Sequence, residues 1–402
     1  MICVLKYKRY LLYLLMKQNY QPGTQNNYVN FSPIIPVTEN KKEFFIESVG
    51  GGKGTEATKW PPDLQRETLL REPLVPPKMK IILVGPGLSP IPPTGWGAIE
   101  SLIWDYYENL TKFGIDVNII NNSDLNEVVR ECNKSPVDAV HIMYDDYVVI
   151  APYLACRNII YTSHYAYITS PDLEKTYKYY YQNIFMRVIE NQRHIKLHAL
   201  SDKIGDVYRK HGLKSSVRII CNGARDDLFR FTSEPVKADR SVYVAKIEFR
   251  KAQYKYQSIN NIDFVGNYFN SPFFTNEPNY LGEWSKATLY ENLTEYGNLV
   301  LLSNGEADPL VVKEALIAGL GVVVSECSSA NLDLTKPFIT VIPDDRLADL
   351  EYVSRRIEEN RRVSVATRDE IRKYALENFA WTSIIKKYLE VLRTSLFNVN
   401  AE

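Results

Sequence analysis

Two carboxylates, Glu306 and Glu314, flank the start of one helical pattern. Asp308 suits an N-cap and Pro309 a first helical position, so a helix is expected to open there, with Leu310 in its first turn. Glu306 then sits in the preceding loop and Glu314 in the second turn. Both lie near the positive end of the helix, able to reach different hydroxyls of one ligand. An apolar run follows, Gly319 stops the helix, and Gly321-Val322-Val323-Val324 reads as a buried parallel strand. A loop carboxylate, a helix carboxylate and backbone N–H groups between them could hold a ligand rich in hydroxyls and phosphates, such as a nucleotide-sugar. Solvated glutamates on an ordinary amphipathic helix would look the same, so the neighbouring motifs decide.

Pro93-Thr94-Gly95-Trp96-Gly97 precedes a second helical pattern. Gly95 and Gly97 would let backbone N–H groups approach an anion, and the helix N-terminus adds positive potential. Gly85-Pro86-Gly87 is no dinucleotide fingerprint, because Pro90 stands where the third glycine is required. His164 follows a strand end, where a side chain faces the cleft, and its neutral ring can both donate and accept hydrogen bonds near pH 7. His141 lies inside a strand and reads as structural. His194, His198 and His211 read as incidental. Asp145-Asp146 lacks the Asp-x-Asp spacing of a metal motif, so no cofactor and no obligatory metal is expected.

These residues need a scaffold, and the pattern supplies one. Strands are expected at 80–84, 116–120, 139–143, 158–162, 242–245, 262–266, 298–302 and 321–324, with helices between them from 98 to 113 and over 368–396. Strands alternating with helices imply parallel α/β sheets. Two separate series imply two Rossmann-like domains with a ligand cleft between them. Met79 opens the regular pattern. Residues 17–78 are rich in Asn, Gln, Gly and Pro and read as a poorly ordered appendage.

Taken together, the motifs resemble the retaining glycosyltransferases of family 4, which have the GT-B fold. The resemblance covers 79–392. It rests on Glu306-x7-Glu314 followed by Ala315-Leu316-Ile317-Ala318-Gly319. It rests also on Ile220-Cys221-Asn222-Gly223 with Phe229, which is similar to an Asn-Gly signature closing the first domain, and on Lys246 with Lys251 after a strand. Asn-Gly is read as a tight turn with positive φ, and Phe229 as an anchor for the linker. The implied roles are Lys246, Lys251, Gly95 and Gly97 at the donor diphosphate, Glu314 at the ribose hydroxyls, and His164 and Glu306 at the sugar. Asp308 and Leu310 would contact sugar or phosphate. The chain departs from the pattern at Ala245 and Lys246, where Gly and Arg are usual, so the bidentate fork is lost. It departs again at Ala307-Asp308-Pro309, where Gly-Phe-Gly is usual and Pro309 has no N–H to offer.

The resemblance implies an extension over 1–78, an acceptor domain over 79–235, a donor domain over 236–380, and a C-terminal helix over 381–402 crossing back to the first domain. The activity implied is transfer of a sugar, with retention, from a nucleotide-diphosphate-sugar to a glycan or lipid-linked acceptor. A nucleotide-sugar epimerase of the same fold and a catalytically degenerate nucleotide-sugar-binding protein are the alternatives.

Composition agrees with a globular enzyme. The chain has 402 residues, and 48 basic side chains balance 48 acidic ones, which argues against a nucleic-acid partner. Five scattered cysteines lack metal-ligand spacing and fit a reducing compartment. No apolar run spans a bilayer, so a cytoplasmic location with at most peripheral membrane contact is expected.

Overall fold

The computed structural model describes residues 78–93, 97–164, 168 and 185–397. The extension expected over 1–78 lies outside them except for its last residue.

The first series contains β1 (Lys80–Val84), α1 (Ala98–Lys112), β2 (Asp116–Ile120), α2 (Leu125–Cys132), β3 (Ala139–Ile142), β4 (Ile159–Thr162), α3 (Met186–Glu190), β5 (Lys196–Ala199), α4 (Asp202–Lys210) and β6 (Val217–Ile219). Its strands form one parallel sheet in the order β2-β1-β3-β4-β5-β6. The second series contains β7 (Lys237–Val244), α5 (Gln253–Tyr256), β8 (Ile262–Val265), α6 (Lys286–Asn292), β9 (Tyr296–Leu301), α7 (Leu310–Ile317), β10 (Gly321–Ser325), β11 (Ile339–Ile342), α8 (Leu350–Ala366), α9 (Arg368–Phe379) and α10 (Trp381–Phe397). Its parallel sheet runs β11-β10-β9-β7-β8. Two parallel α/β halves thus face one cleft.

Strand sequence explains the layering. Successive side chains of a strand point to opposite faces, and a parallel sheet is covered on both. In β1, Ile81 and Leu83 join the core that contains α1, while Ile82 and Val84 join the core on the opposite face. In β10 all five residues are buried. Strand order reverses between β1 and β3 and again between β7 and β9. Open α/β sheets bind ligands outside the carboxyl ends of their strands at such points.

Helix ends follow local chemistry. Gly97 is the extended N-cap of α1, and Leu102, Ile103, Tyr106 and Leu110 form its buried face. α7 stops at Gly319, whose φ of +83° only glycine adopts freely, and its final carbonyls accept from Gly319 and Leu320 N–H.

The structure corrects several expectations. Asp308 does not cap α7, because Pro309 occupies the N-cap position and the helix starts at Leu310. Gly223 does not have positive φ. It is needed there because a Cβ would meet the Trp381 ring at 2.6 Å. The C-terminal helical region consists of α9 and α10, separated at the extended Ala380, and the helix expected from 381 begins there. Strands β5 and β11 were not foreseen, since each is short and carries polar residues. His198 is not incidental. It is buried beside His141 and Tyr388, with ring centroids 5.9 and 5.6 Å away.

α10 lies against α1 of the first half. Trp381 and Tyr388 pack edge-on against Tyr106, and Tyr388 stacks on His141. Trp381, Ile384, Ile385, Tyr388, Leu389 and Leu392 are all buried. Each such side chain stabilises by roughly 1.5–3 kcal/mol, so α10 is a firm part of the first half's coat.

Candidate active site

The loop after β7 and the loop after β9 flank the switch point of the second sheet, and they are tied together. Arg250 O accepts from Asn304 N at 2.8 Å and from Ser303 Oγ at 3.2 Å. Arg250 Nη1 donates to Gly305 O at 2.6 Å. Ser325 Oγ, at the end of β10, donates to Ser303 O at 2.6 Å. Lys251 precedes Ala252, which is fully buried with φ of +57°. A non-glycine residue there costs of order 1 kcal/mol, and such strain is kept where a neighbour must be aimed.

Lys251 and Arg250 converge on Glu306. Lys251 Nζ donates to Glu306 Oε1, and Arg250 Nη1 lies 3.6 Å from Oε2. Burial alone would raise the Glu306 carboxyl, but the two cations outweigh it and hold it below its ordinary range. Glu306 is therefore an ionised carboxylate in a largely dry place. Lys246 sits above the Phe269 ring, 3.8 Å from its centroid, with Glu248 3.8 Å away. Glu314 lies 3.3 Å from Lys286 Nζ, and the carboxylate raises that lysine.

A cavity of about 280 Å³ opens between the halves, and these groups line it. Lys246, Arg250, Lys251, Glu306 and Glu314 come from the second half. Ile99, Leu102, His164, Leu200 and Asn222 come from the first. Asp308, Pro309, Leu310 and Val311 complete the wall at the start of α7, whose first N–H groups have no intrahelical partner.

Of the residues read from sequence, His164, Lys246, Lys251, Glu306, Glu314, Asp308 and Leu310 all reach this cavity. Gly97 caps α1 beside it, and Gly95 lies outside the described residues. Asp308 is a correction of a second kind. Its Oδ2 accepts from Asn222 N at 2.7 Å, and its Oδ1 accepts from Lys313 Nζ and from Asn331 Nδ2 at 2.8 Å. The side chain is wholly buried, so the carboxylate is satisfied within the protein. Arg250 and Lys286 were not among the residues read from sequence. Neither has a motif, because their partners stand 56 and 28 positions away in sequence.

His164 Nε2 is buried without a hydrogen-bond partner among the described residues, and burial lowers the ring to about 4. His198 is lowered to about 3 by burial, then by Arg218 and Lys196. His141 is lowered by burial and by its two histidine neighbours. His141 Nε2 lies 2.8 Å from Thr162 Oγ1 and its Nδ1 3.3 Å from Tyr388 OH. All three rings are neutral at pH 7. The unfolded chain protonates them near pH 6.5, above their folded values, so stability is full above that pH and falls as pH drops toward 4. Urea denaturation at pH 7 and pH 5 should show the loss, to which His198 contributes about 2 kcal/mol. Equal stability at both values would contradict burial of the neutral rings.

Among the described residues no cluster of His, Cys, Asp and Glu could hold a metal ion. Nor is any helix among them long and apolar enough to cross a membrane.

No family model matches the chain, and no curated protein matches it. Solved structures do. AviGT4, a glycosyltransferase involved in avilamycin A biosynthesis, is similar with a TM-score of 0.57 and 17% identity, over 80% of this chain and 98% of that one. HepE of Anabaena in complex with UDP-glucose gives 0.59 and 14%, over 79% and 100%. Sucrose-phosphate synthase of Thermosynechococcus elongatus gives 0.61 and 13%, over 80% and 100%. The chain therefore has the fold of these enzymes, GT-B, with two Rossmann-like halves facing across a cleft.

Proposed function

We propose that the protein is a retaining glycosyltransferase that uses a nucleotide-diphosphate-sugar. The observation that carries this reading is the convergence of Lys246, Lys251, Glu306, Glu314 and His164 on one cavity at the switch point of the second sheet. HepE, of the same fold, was crystallised with UDP and with UDP-glucose, which makes a UDP-sugar the first donor to try here.

In this reading Glu314 accepts from the two ribose hydroxyls, with Lys286 holding its orientation. Lys246 and Lys251 face the diphosphate, helped by the open N–H groups of α7. The bond between the anomeric carbon and the phosphate oxygen breaks, and the acceptor oxygen bonds to that carbon on the same face. The acceptor proton passes to the departing phosphate oxygen, so no enzyme nucleophile is formed. Charge builds on the diphosphate as the bond lengthens, where preorganised cations stabilise it most. Glu306 stays ionised near the sugar ring and stabilises its oxocarbenium-like state. His164, neutral and without a partner at Nε2 among the described residues, hydrogen-bonds a sugar hydroxyl. The first half holds a glycan or lipid-linked acceptor, and no metal takes part.

A thermal-shift panel of UDP-, GDP-, ADP- and dTDP-sugars tests the reading. A ligand at 100 times its Kd should stabilise by about 2.7 kcal/mol. One clear hit names the base for acceptor screening. No hit across the panel would remove the donor site, and binding without even hydrolytic turnover would favour a degenerate binding protein.

A further inference from the structure

Between Glu306 and Leu310 the chain has no glycine, and this short segment is fastened to the opposite half of the molecule. We propose that Asp308 is a positioning residue, the centre of a latch that fixes the Glu306 loop against the first sheet and sets the width of the cleft. Asn222, just beyond β6, grips Asp308 twice. Its N–H donates to Asp308 Oδ2 at 2.7 Å, and its Nδ2 donates to Asp308 O at 3.0 Å. Asn331 adds a bridge, its Nδ2 donating at 2.8 Å to both Asp308 Oδ1 and Leu200 O, at the end of β5. Ala307 packs against the core on the far face of the first sheet, a cluster otherwise built from residues of the first half. Lys313 closes the arrangement by neutralising the buried carboxylate from within α7.

Glu306 is thereby held from two sides. Lys251 and Arg250 fix its carboxylate from the second half, and the latch fixes its backbone against the first. Leu200 and Asn222 also line the cavity, so the anchoring points of the latch are walls of the same cleft. Loosening the latch should widen the cleft while leaving Lys246, Lys251, Lys286 and Glu314 in place, since all four belong to the second half. The inference uses the proposed donor site only for its functional consequence. Its geometry stands apart from it.

The test uses the full chain and two substitutions. Asn331 has φ of +63°, so Asn331→Gly removes the bridge without straining the backbone. Asn331→Asp sets acceptor oxygens against the Asp308 carboxylate and the Leu200 carbonyl. In the wild type, amide exchange around Asn222 should be slow for a segment outside a strand. It should quicken about tenfold in the Gly variant and further in the Asp variant, with parallel change at 305–309. Small-angle scattering should show a larger radius of gyration in the same order. UDP affinity by calorimetry should stay within about threefold, while turnover of the donor identified by the panel should lose kcat with little change in KM. Fast wild-type exchange at Asn222 would overturn the latch, whatever the variants do. So would variants that exchange and scatter like the wild type. If UDP and its sugars fail to bind the wild type, the donor reading falls, and exchange and scattering still decide the latch.

Discussion

Lys251→Ala should lower kcat/KM about 100- to 1,000-fold, equivalent to roughly 2.7–4 kcal/mol of transition-state stabilisation. Two effects add. The departing diphosphate loses a preorganised cation from a site where both Lys251 and Glu306 are largely buried. Glu306 also loses its nearer cation and keeps Arg250 at 3.6 Å and a hydrogen bond with Ser303. With Lys251 gone, burial acts on the Glu306 carboxyl with less opposition, and its ionisation moves toward higher pH. The acid limb of the pH–rate profile should therefore shift upward in the variant, which a simple loss of phosphate contact would not cause. Lys251→Arg should retain part of the rate, and Lys255→Ala, at an exposed position on α5, should behave as the wild type. Steady-state kinetics across pH 5–9 would check all three. An unaltered rate in Lys251→Ala would remove the role assigned to it.

Lys313→Met should cost about 3–5 kcal/mol of stability. The Lys313 ammonium and Asp308 carboxylate are both completely buried. Removing one leaves the other uncompensated, and among the described residues the carboxylate keeps only the Asn222 and Asn331 donors. Methionine preserves the volume under the Phe379 ring, 5.5 Å from the Lys313 ammonium, so a cavity is not the cause of the loss. Removing both charges in Asp308→Leu/Lys313→Met should recover part of it, because a buried pair is often replaceable by apolar groups. Recovery stays incomplete, since the Asn222 N–H and the Asn331 amide lose their acceptor at about 1–3 kcal/mol each. Urea denaturation of the two variants measures the difference. Equal stability of wild type and Lys313→Met would show that the pair is not closed to water.

The parallel strands were legible because a sheet covered on both faces demands unbroken apolar runs, as in β1, β9 and β10. Their alternation with helices gave the two halves. β5 and β11 escaped because Lys196, His198 and Thr340 interrupt the apolar pattern, and only the neighbouring strands reveal why those positions extend. His164, Lys246, Lys251, Glu306 and Glu314, named from local spacing and from the family resemblance, line one cavity. Their partners were not legible. Lys286 meets Glu314, and Asn331 meets Asp308, only after the sheet has folded, and no local pattern announces either pairing. Asp308 shows the limit most clearly. Its place before a helix favours an N-cap, yet tertiary contacts with Asn222 and Lys313 outweigh that one hydrogen bond and Pro309 takes the cap.

The placement of α10 has a consequence for synthesis. Tyr106 and His141 belong to the first half, but Trp381 and Tyr388, which cover them, leave the ribosome only after the whole second sheet has been made. At about 5–20 residues per second, the first half waits some ten to thirty seconds for its own lid. Throughout that interval an apolar strip along α1 and the ends of β3 and β5 is open to other nascent chains. Production in a heterologous host should therefore respond more to slowed elongation and holding chaperones than to any change in the cleft, because the vulnerable species is an unfinished chain.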